Sequence, residues 1–251
     1  MTPTLRPLHD GLQLLADVSD SSESLGVSAI ATRCGWPKSR AHRILTALVA
    51  TGYVEQDAQR RYRATAKVLR LASGVMSHHP LRLLALPIMR RLCEETDCEA
   101  TLSVLHEQRS LAIAVDSPSG KPTKDPFARL GQSSYLHGAA NGKVLLAWLP
   151  LIEQQHLLKQ LVLPRLTART ITDHAQLSLE LENVRLRGYA KNDRENQPQV
   201  VTVSVPVYDG FHHCQAALGL SRTPGCSGEA TLIKLLKREA AELTKLIAGI
   251  S

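Results

Sequence analysis

The sequence predicts an α+β protein with an N-terminal winged helix-turn-helix domain, a linker helix and a C-terminal domain built on an antiparallel sheet. Three observations carry that expectation. Two helical patterns joined by a glycine turn are followed at once by a basic hairpin pattern. The excess positive charge falls in that same segment. Beyond residue 98, paired alternating strands are separated by helices, the order of an α+β domain. The expected boundaries are 1–64, 65–79 and 80–251.

Residues 8–18, "LHDGLQLLADV", place Leu8, Leu12, Leu15 and Val18 on one helical face, with Gly11 weakening the helix slightly. A polar loop, "SDSSES", follows. In "SAIATRCG", Ser28 is the expected N-cap and Gly35 the terminator. Trp36 and Pro37 open the next helix, where Ala41, Ile44, Leu45, Leu48 and Val49 form an i, i+3, i+4, i+7, i+8 stripe that Gly52 ends. "YVEQDAQRRYRAT" then reads as two short strands around a polar turn at Asp57–Arg60.

Between residues 33 and 70 there are nine Lys and Arg against two acids, which equals the whole chain's net charge of +7. A basic patch confined to one segment is the footprint of a phosphate-bearing partner. With its apolar stripe docked on a small core, the second helix turns Lys38, Ser39, Arg40, His42 and Arg43 toward a major groove wide enough to accept it. Arginine grips guanine bidentately, whereas Lys38, Ser39 and the helix N-terminus suit phosphates. Arg60 and Arg61 on the hairpin would follow the backbone or enter the adjacent minor groove. The expected partner is double-stranded DNA.

Val68, Leu71, Ala72 and Val75 share a face of the linker helix, and Pro80 marks a break before "LRLLALPIMRRLCEET", which Pro87 kinks or restarts. "EATLSVLHE" and "RSLAIAVDS" are alternating strands joined by a tight turn. A loop with Pro118, Pro122 and Pro126 precedes the helix of "HGAANGKVLLAWL", and a further helix is expected over 173–187. "GYAKND", "QVVTVSVPVYD" and "CQAALGLS" are strand candidates, and Ser227 would cap a last amphipathic helix.

Composition narrows the function classes. The chain is 43% hydrophobic and 21% charged, as in ordinary globular proteins. No apolar run reaches the roughly 18 residues of a membrane span, and the N-terminus lacks the pattern of a signal peptide. The odd count of five cysteines favours reduced thiols and a cytoplasmic setting. Cys93, Cys98 and Cys214, with His212 and His213, are the candidates for a metal or redox site, but no pair has tight ligand spacing. "GAANGKV" is one residue short of a phosphate-binding loop, and Val144 stands where that motif needs a hydroxyl. His137 has no nucleophile at motif spacing, so no enzyme and no cofactor is expected.

Three segments carry a resemblance. "WPKSRAHRILTALVATGYVEQDAQRRYRAT" resembles the DNA-binding half of the isocitrate-lyase-regulator (IclR) family of bacterial transcription factors. "LHGAANGKVLLAWLP" is similar to that family's "PLHATAxGKALLAFLP", and "RGYAKNDRENQPQVVTVSVPVYD" to its "GYAxDDEExxxGVxCVAAPVxD". The match runs from about residue 8 to residue 249. It implies a winged helix, a GAF-like effector domain, and a homodimer through helices near the linker, commonly a dimer of dimers. It also implies a small organic acid as effector, which alters promoter occupancy. Carried over, the effector site would draw on Ala140, Asn141, Asn192, Thr202, Gly219 and Ser221. A helix start offers free N–H groups to a carboxylate, and the polar side chains add neutral donors and acceptors. Arg40 stands where the family usually has a small hydroxyl residue. Asn192 replaces a frequent acid, Thr202 a frequent cysteine, Gln199 a usual glycine and Asn141 a small residue. The alternative is a redox- or metal-responsive regulator using Cys93, Cys98 and Cys214.

Overall fold

The computed structural model describes residues 5–118, 130–222 and 228–249. The expected Pro122 and Pro126 loop and the Ser227 cap lie outside the described residues. The chain divides into two units, Met1–His78 and His79–Ser251.

The first unit runs α1 (Arg6–Ser19), β1 (Leu25–Gly26), α2 (Val27–Cys34), α3 (Lys38–Ala50), β2 (Val54–Gln56), β3 (Arg61–Ala64) and α4 (Lys67–His78). Gly35 takes a left-handed φ of 65° after α2, where a side chain would be strained. This sharp stop lets α3 start three residues later. Ser28 lies inside α2, whose N-cap is Gly26. The hairpin β2–β3 is completed by the two-residue strand β1, giving an antiparallel sheet in the order β1-β3-β2. Leu14, Val18, Ile30, Leu45, Val54 and Tyr62 form the core.

The periodicity of α1 misleads. Asp10, Leu14, Leu15 and Val18 face the core, whereas Leu8 and Leu12 are about 60% exposed. Leu5, Leu8 and Leu12 thus make a second apolar stripe, and the sequence could not say which stripe the core would take. In α4 no residue is buried, and Leu69, Leu71 and Val75 are open to solvent.

The second unit begins with α5 (Pro80–Thr96), which continues through Pro87 as one helix. It continues with β4 (Glu99–His106), β5 (Arg109–Asp116), β6 (Ser133–Tyr135), α6 (Ala140–Ala147), α7 (Leu151–Gln160) and α8 (His174–Arg187). The last elements are β7 (Ala190–Asp193), β8 (Val201–Tyr208), β9 (Cys214–Ser221) and α9 (Glu229–Ala248). The strands pair antiparallel in the order β6-β5-β4-β9-β8-β7.

Strand alternation assigns the two faces. Leu102, Val203, Val205, Val207, Leu218 and Leu220 point to one side and pack with α5 and α9. Ala217 points to the other, with the core of α6, α7 and α8. α6 sits very close to the chain before it. A Cβ on Gly142 would lie 2.5 Å from Leu136 Cα, so glycine is required there. None of the described helices is long and apolar enough to cross a membrane.

Candidate functional site

Burial of one side of α3 determines what the other offers. Ala41 and Leu45 are fully buried, while Lys38, Ser39, His42 and Arg43 are exposed over its first two turns. In the hairpin, the Asp57 carboxylate accepts N–H bonds from Gln59 and Arg61 at 2.9 and 2.8 Å. This Asx-type turn carries Arg60 at its tip with a φ of 59°. Arg60 and Arg61 are both exposed; Arg61 lies 3.3 Å from Asp57, and Arg63 pairs with Glu55. Arg60 has no ion pair among the described residues.

Arg40 departs from the expectation. Its guanidinium turns inward onto Asp10 of α1, with Nε 3.1 Å from Oδ2 and a closer contact from Nη2. It also lies over the Trp36 ring, 4.6 Å from the centroid. The Arg40 hydrogen bond holds the Asp10 carboxyl below the usual carboxylate range. A guanidinium committed to a buried carboxylate is not offered to guanine, because leaving would strand that charge. Arg40 therefore ties α1 to α3.

In the second unit the face under α6 is small and polar at alternate strand positions. Thr101 and Ser103 on β4 and Thr202 and Ser204 on β8 stand next to Gly219 and Ser221 on β9. A cavity of about 50 Å³ opens there, against the first turn of α6. Of the expected residues, Ala140, Asn141, Asn192, Thr202 and Ser221 line it. Gly219 does not; it makes room beneath. A Cβ there would fall 2.5 Å from Ser204 Oγ and closer still to Asn141 Oδ1. The lining also includes Thr101, Ser103, Ser110, Gln132, Ser134 and Asn196, which the sequence reading missed. Hydroxyls at every second position between Ala100, Leu102 and Val104 were the available signal.

The hydrogen bonds separate two roles. Asn141 Nδ2 donates to Ser103 Oγ at 2.7 Å, and its Oδ1 accepts from Ser204 Oγ. Both amide atoms are thus engaged in fastening α6 to β4 and β8. Thr202 and Ser221 bond to each other at 3.1 Å. Asn192 Oδ1 accepts from the backbone N–H of Glu195 at 2.8 Å and of Asn196 at 3.3 Å, so it caps the turn after β7. Glu195 lies in that turn and not in a strand.

An ion pair that local pattern does not register joins α6 to the turn after β7. Lys143 is 1% exposed, and its Nζ donates to both Glu195 carboxylate oxygens at 2.8 Å. Glu180 lies 3.5 Å from the same ammonium and also receives Arg187 at 2.7 Å. The Glu195 carbonyl accepts from Thr170 Oγ1 at 2.6 Å. The lysine of "GAANGKV" therefore anchors the 192–200 turn to the helix that borders the cavity.

The cysteine alternative finds no geometry. Cys93 is fully buried in the core and Cys214 half-buried, and burial pushes both thiols up to about 12. Cys34 is likewise a free thiol, and burial beside Asp17 pushes it up to about 11. Among the described residues no group of three His, Cys, Asp or Glu could hold a metal ion.

Residues 73–244 match the family model of the bacterial transcriptional regulator IclR C-terminal domain, and residues 10–58 that of the IclR helix-turn-helix domain. The chain belongs to the IclR family. It is 31% identical to the HTH-type transcriptional regulator BhcR of Paracoccus denitrificans, over 86% of this chain and 77% of that one. It is 28% identical to the acetate operon repressor of Salmonella typhimurium, over 88% and 81%. An IclR homologue from Microbacterium hydrocarbonoxydans, solved in complex with 4-hydroxybenzoate, shares the fold with a TM-score of 0.77. It is 23% identical, with 98% of this chain and 100% of that one covered.

An IclR-family chain is a DNA-binding transcriptional regulator, not an enzyme. His137 fits that assignment. It is buried with Nε2 3.1 Å from the Pro164 carbonyl, and burial lowers its pKa, which keeps the ring neutral.

Proposed function

We propose that this regulator represses transcription by holding double-stranded promoter DNA in the cytoplasm, and that a small organic acid bound in the second unit's cavity changes its occupancy. One observation carries the reading most directly. The cavity is bordered by the start of α6, where amide N–H groups lack helical partners and favour a carboxylate. The acetate operon repressor and the 4-hydroxybenzoate complex among the relatives support repression and an acid effector.

Lys38, Ser39, His42 and Arg43 would enter the major groove, with Arg60 and Arg61 on the backbone or in the minor groove. Affinity should then fall linearly on a log–log plot against salt. Arg43→Ala should cost about 1–3 kcal/mol and relax sequence preference, whereas Arg60→Ala should weaken all sequences alike and flatten the salt slope by about one. Arg40→Ala should instead lower the melting temperature of the first unit. The Asp10 pKa is depressed, so that link contributes above the ordinary carboxylate range and fades as pH falls through the lowered value. Fluorescence anisotropy on selected duplexes reads the DNA effects. An Arg43→Ala protein with wild-type affinity and preference would overturn the docking.

The protein works as a homodimer in this reading, commonly assembled further as a dimer of dimers. The exposed stripes of Leu8 and Leu12 on α1, with Leu5 just before it, and of Leu71 and Val75 on α4 supply its apolar contacts. Light scattering should give a dimer or tetramer mass, reduced by Leu12→Asp with Val75→Asp. A wild-type mass of one chain would refute it.

A further inference from the structure

We propose that the ligand of the β4–β8–β9 cavity is a compact hydroxy acid carrying one negative charge, of roughly two to four carbons. This rests on the cavity being the effector site and names the chemistry it selects. Size is the first constraint. The cavity measures about 50 Å³, about a third of the roughly 150 Å³ that admits benzene. Among the described residues no aromatic side chain lines it to stack on a ring.

Charge is the second constraint. Among the described residues no Lys, Arg, His, Asp or Glu lines the cavity. The nearest cation on α6, Lys143, is committed to Glu195. A phosphate ester or a dicarboxylate would bring two charges to a lining that has no cation among the described residues, and desolvating them there is costly. A single carboxylate is within reach of neutral donors: the N–H groups at the start of α6, and Asn192 Nδ2, which has no partner among the described residues, since the turn uses Oδ1 alone. Asn192 is 2% exposed.

The third constraint is what remains unmatched. Among the described residues the hydroxyls of Thr101, Ser110 and Ser134 and the Asn196 amide make no side-chain hydrogen bond. Ser110 is 3% exposed. Gln132 Oε1 is buried without a partner. By contrast Asn141 with Ser103 and Ser204, and Thr202 with Ser221, are bonded among themselves and form the floor. Buried polar groups are rarely left unpaired, so Ser110 and the Gln132 Oε1 on the β5–β6 side call for a polar ligand. Gln132 makes the demand specific. Whichever way its amide is turned, a hydroxyl satisfies it, because a hydroxyl both donates and accepts. The carboxylate would sit at α6 and Asn192, with the hydroxyl toward Gln132, Ser110 and Ser134.

The test is thermal shift and calorimetry on the full chain with lactate, glycolate and glycerate. Propionate, 3-phosphoglycerate and 4-hydroxybenzoate complete the panel. Each ligand is also titrated into the protein bound to a duplex recovered from a random-sequence selection. Lactate or its fellow hydroxy acids should bind, and propionate, lacking only the hydroxyl, about tenfold or more weakly. Gln132→Leu and, separately, Ser110→Ala should erase most of that ratio. Lys159→Ala, exposed on α7, should leave it unchanged. Equal binding of propionate, preference for the phosphate ester, or binding of 4-hydroxybenzoate alone would overturn the proposal. If 4-hydroxybenzoate also altered DNA affinity, the effector reading would stand and only this ligand class would fall. Hydroxy-acid binding with no effect on DNA would sink the effector reading and leave the ligand class. No response to any acid would end both.

Discussion

Replacing Glu195 with alanine should destabilise the second unit by about 3–5 kcal/mol, the range for removing one partner of a buried ion pair. The lysine left behind is 1% exposed and would keep only Glu180 at 3.5 Å. An ammonium taken from water needs close compensation, and that oxygen is already shared with Arg187. An exposed control separates this from generic charge loss. Arg169 and Asp193 also meet at 2.8 Å, but both are more than 40% exposed, so Arg169→Ala should cost less than about 1 kcal/mol. The double variant Lys143→Met with Glu195→Leu should recover most of the loss, since packed apolar replacements of buried pairs are often neutral. Urea titrations of the wild type and the three variants read these differences. A Glu195→Ala protein of wild-type stability would mean that water reaches Lys143.

Gly219→Ala should abolish effector binding at a stability cost of about 1–3 kcal/mol, typical of overpacking a tight site. The new methyl would press on Asn141 Oδ1 and Ser204 Oγ, the two atoms whose hydrogen bond joins α6 to β8. These are side-chain atoms, so the domain can relax. The relaxation displaces the first turn of α6, and with it the N–H groups that border the cavity. Loss of the acid-induced thermal shift with secondary structure retained is the expected outcome. A retained shift would show that the Asn141 network is not what holds the site.

Much of the chain was legible from the sequence because its local signals are strong. Gly35 between two helical stripes, the charge concentrated over residues 33–70 and the alternation of "VVTVSVPV" determined the helix-turn-helix, the basic hairpin and the antiparallel sheet. Five of the six carried-over effector residues line one cavity, since α6 and three strands converge there. The sequence also shows Thr101 and Ser103 between apolar neighbours, and a stricter reading of alternation would have placed them in the site.

Only the tertiary structure decided the rest, and the reason is the same each time. Partners distant in sequence compete for a side chain, and local pattern does not register the competition. Arg40 lies in the first turns of the basic helix α3, yet Asp10, thirty positions earlier, claims it. Leu8 and Leu12 obey helical periodicity with Leu15 and Val18, but the core takes Asp10 and Leu14 in their place. Lys143 looked like part of a failed phosphate loop until Glu195, fifty-two positions on, proved to hold it. Sequence by itself determined the elements, the charge and the family. Packing across the chain decided which of those side chains remain free to meet DNA or an acid.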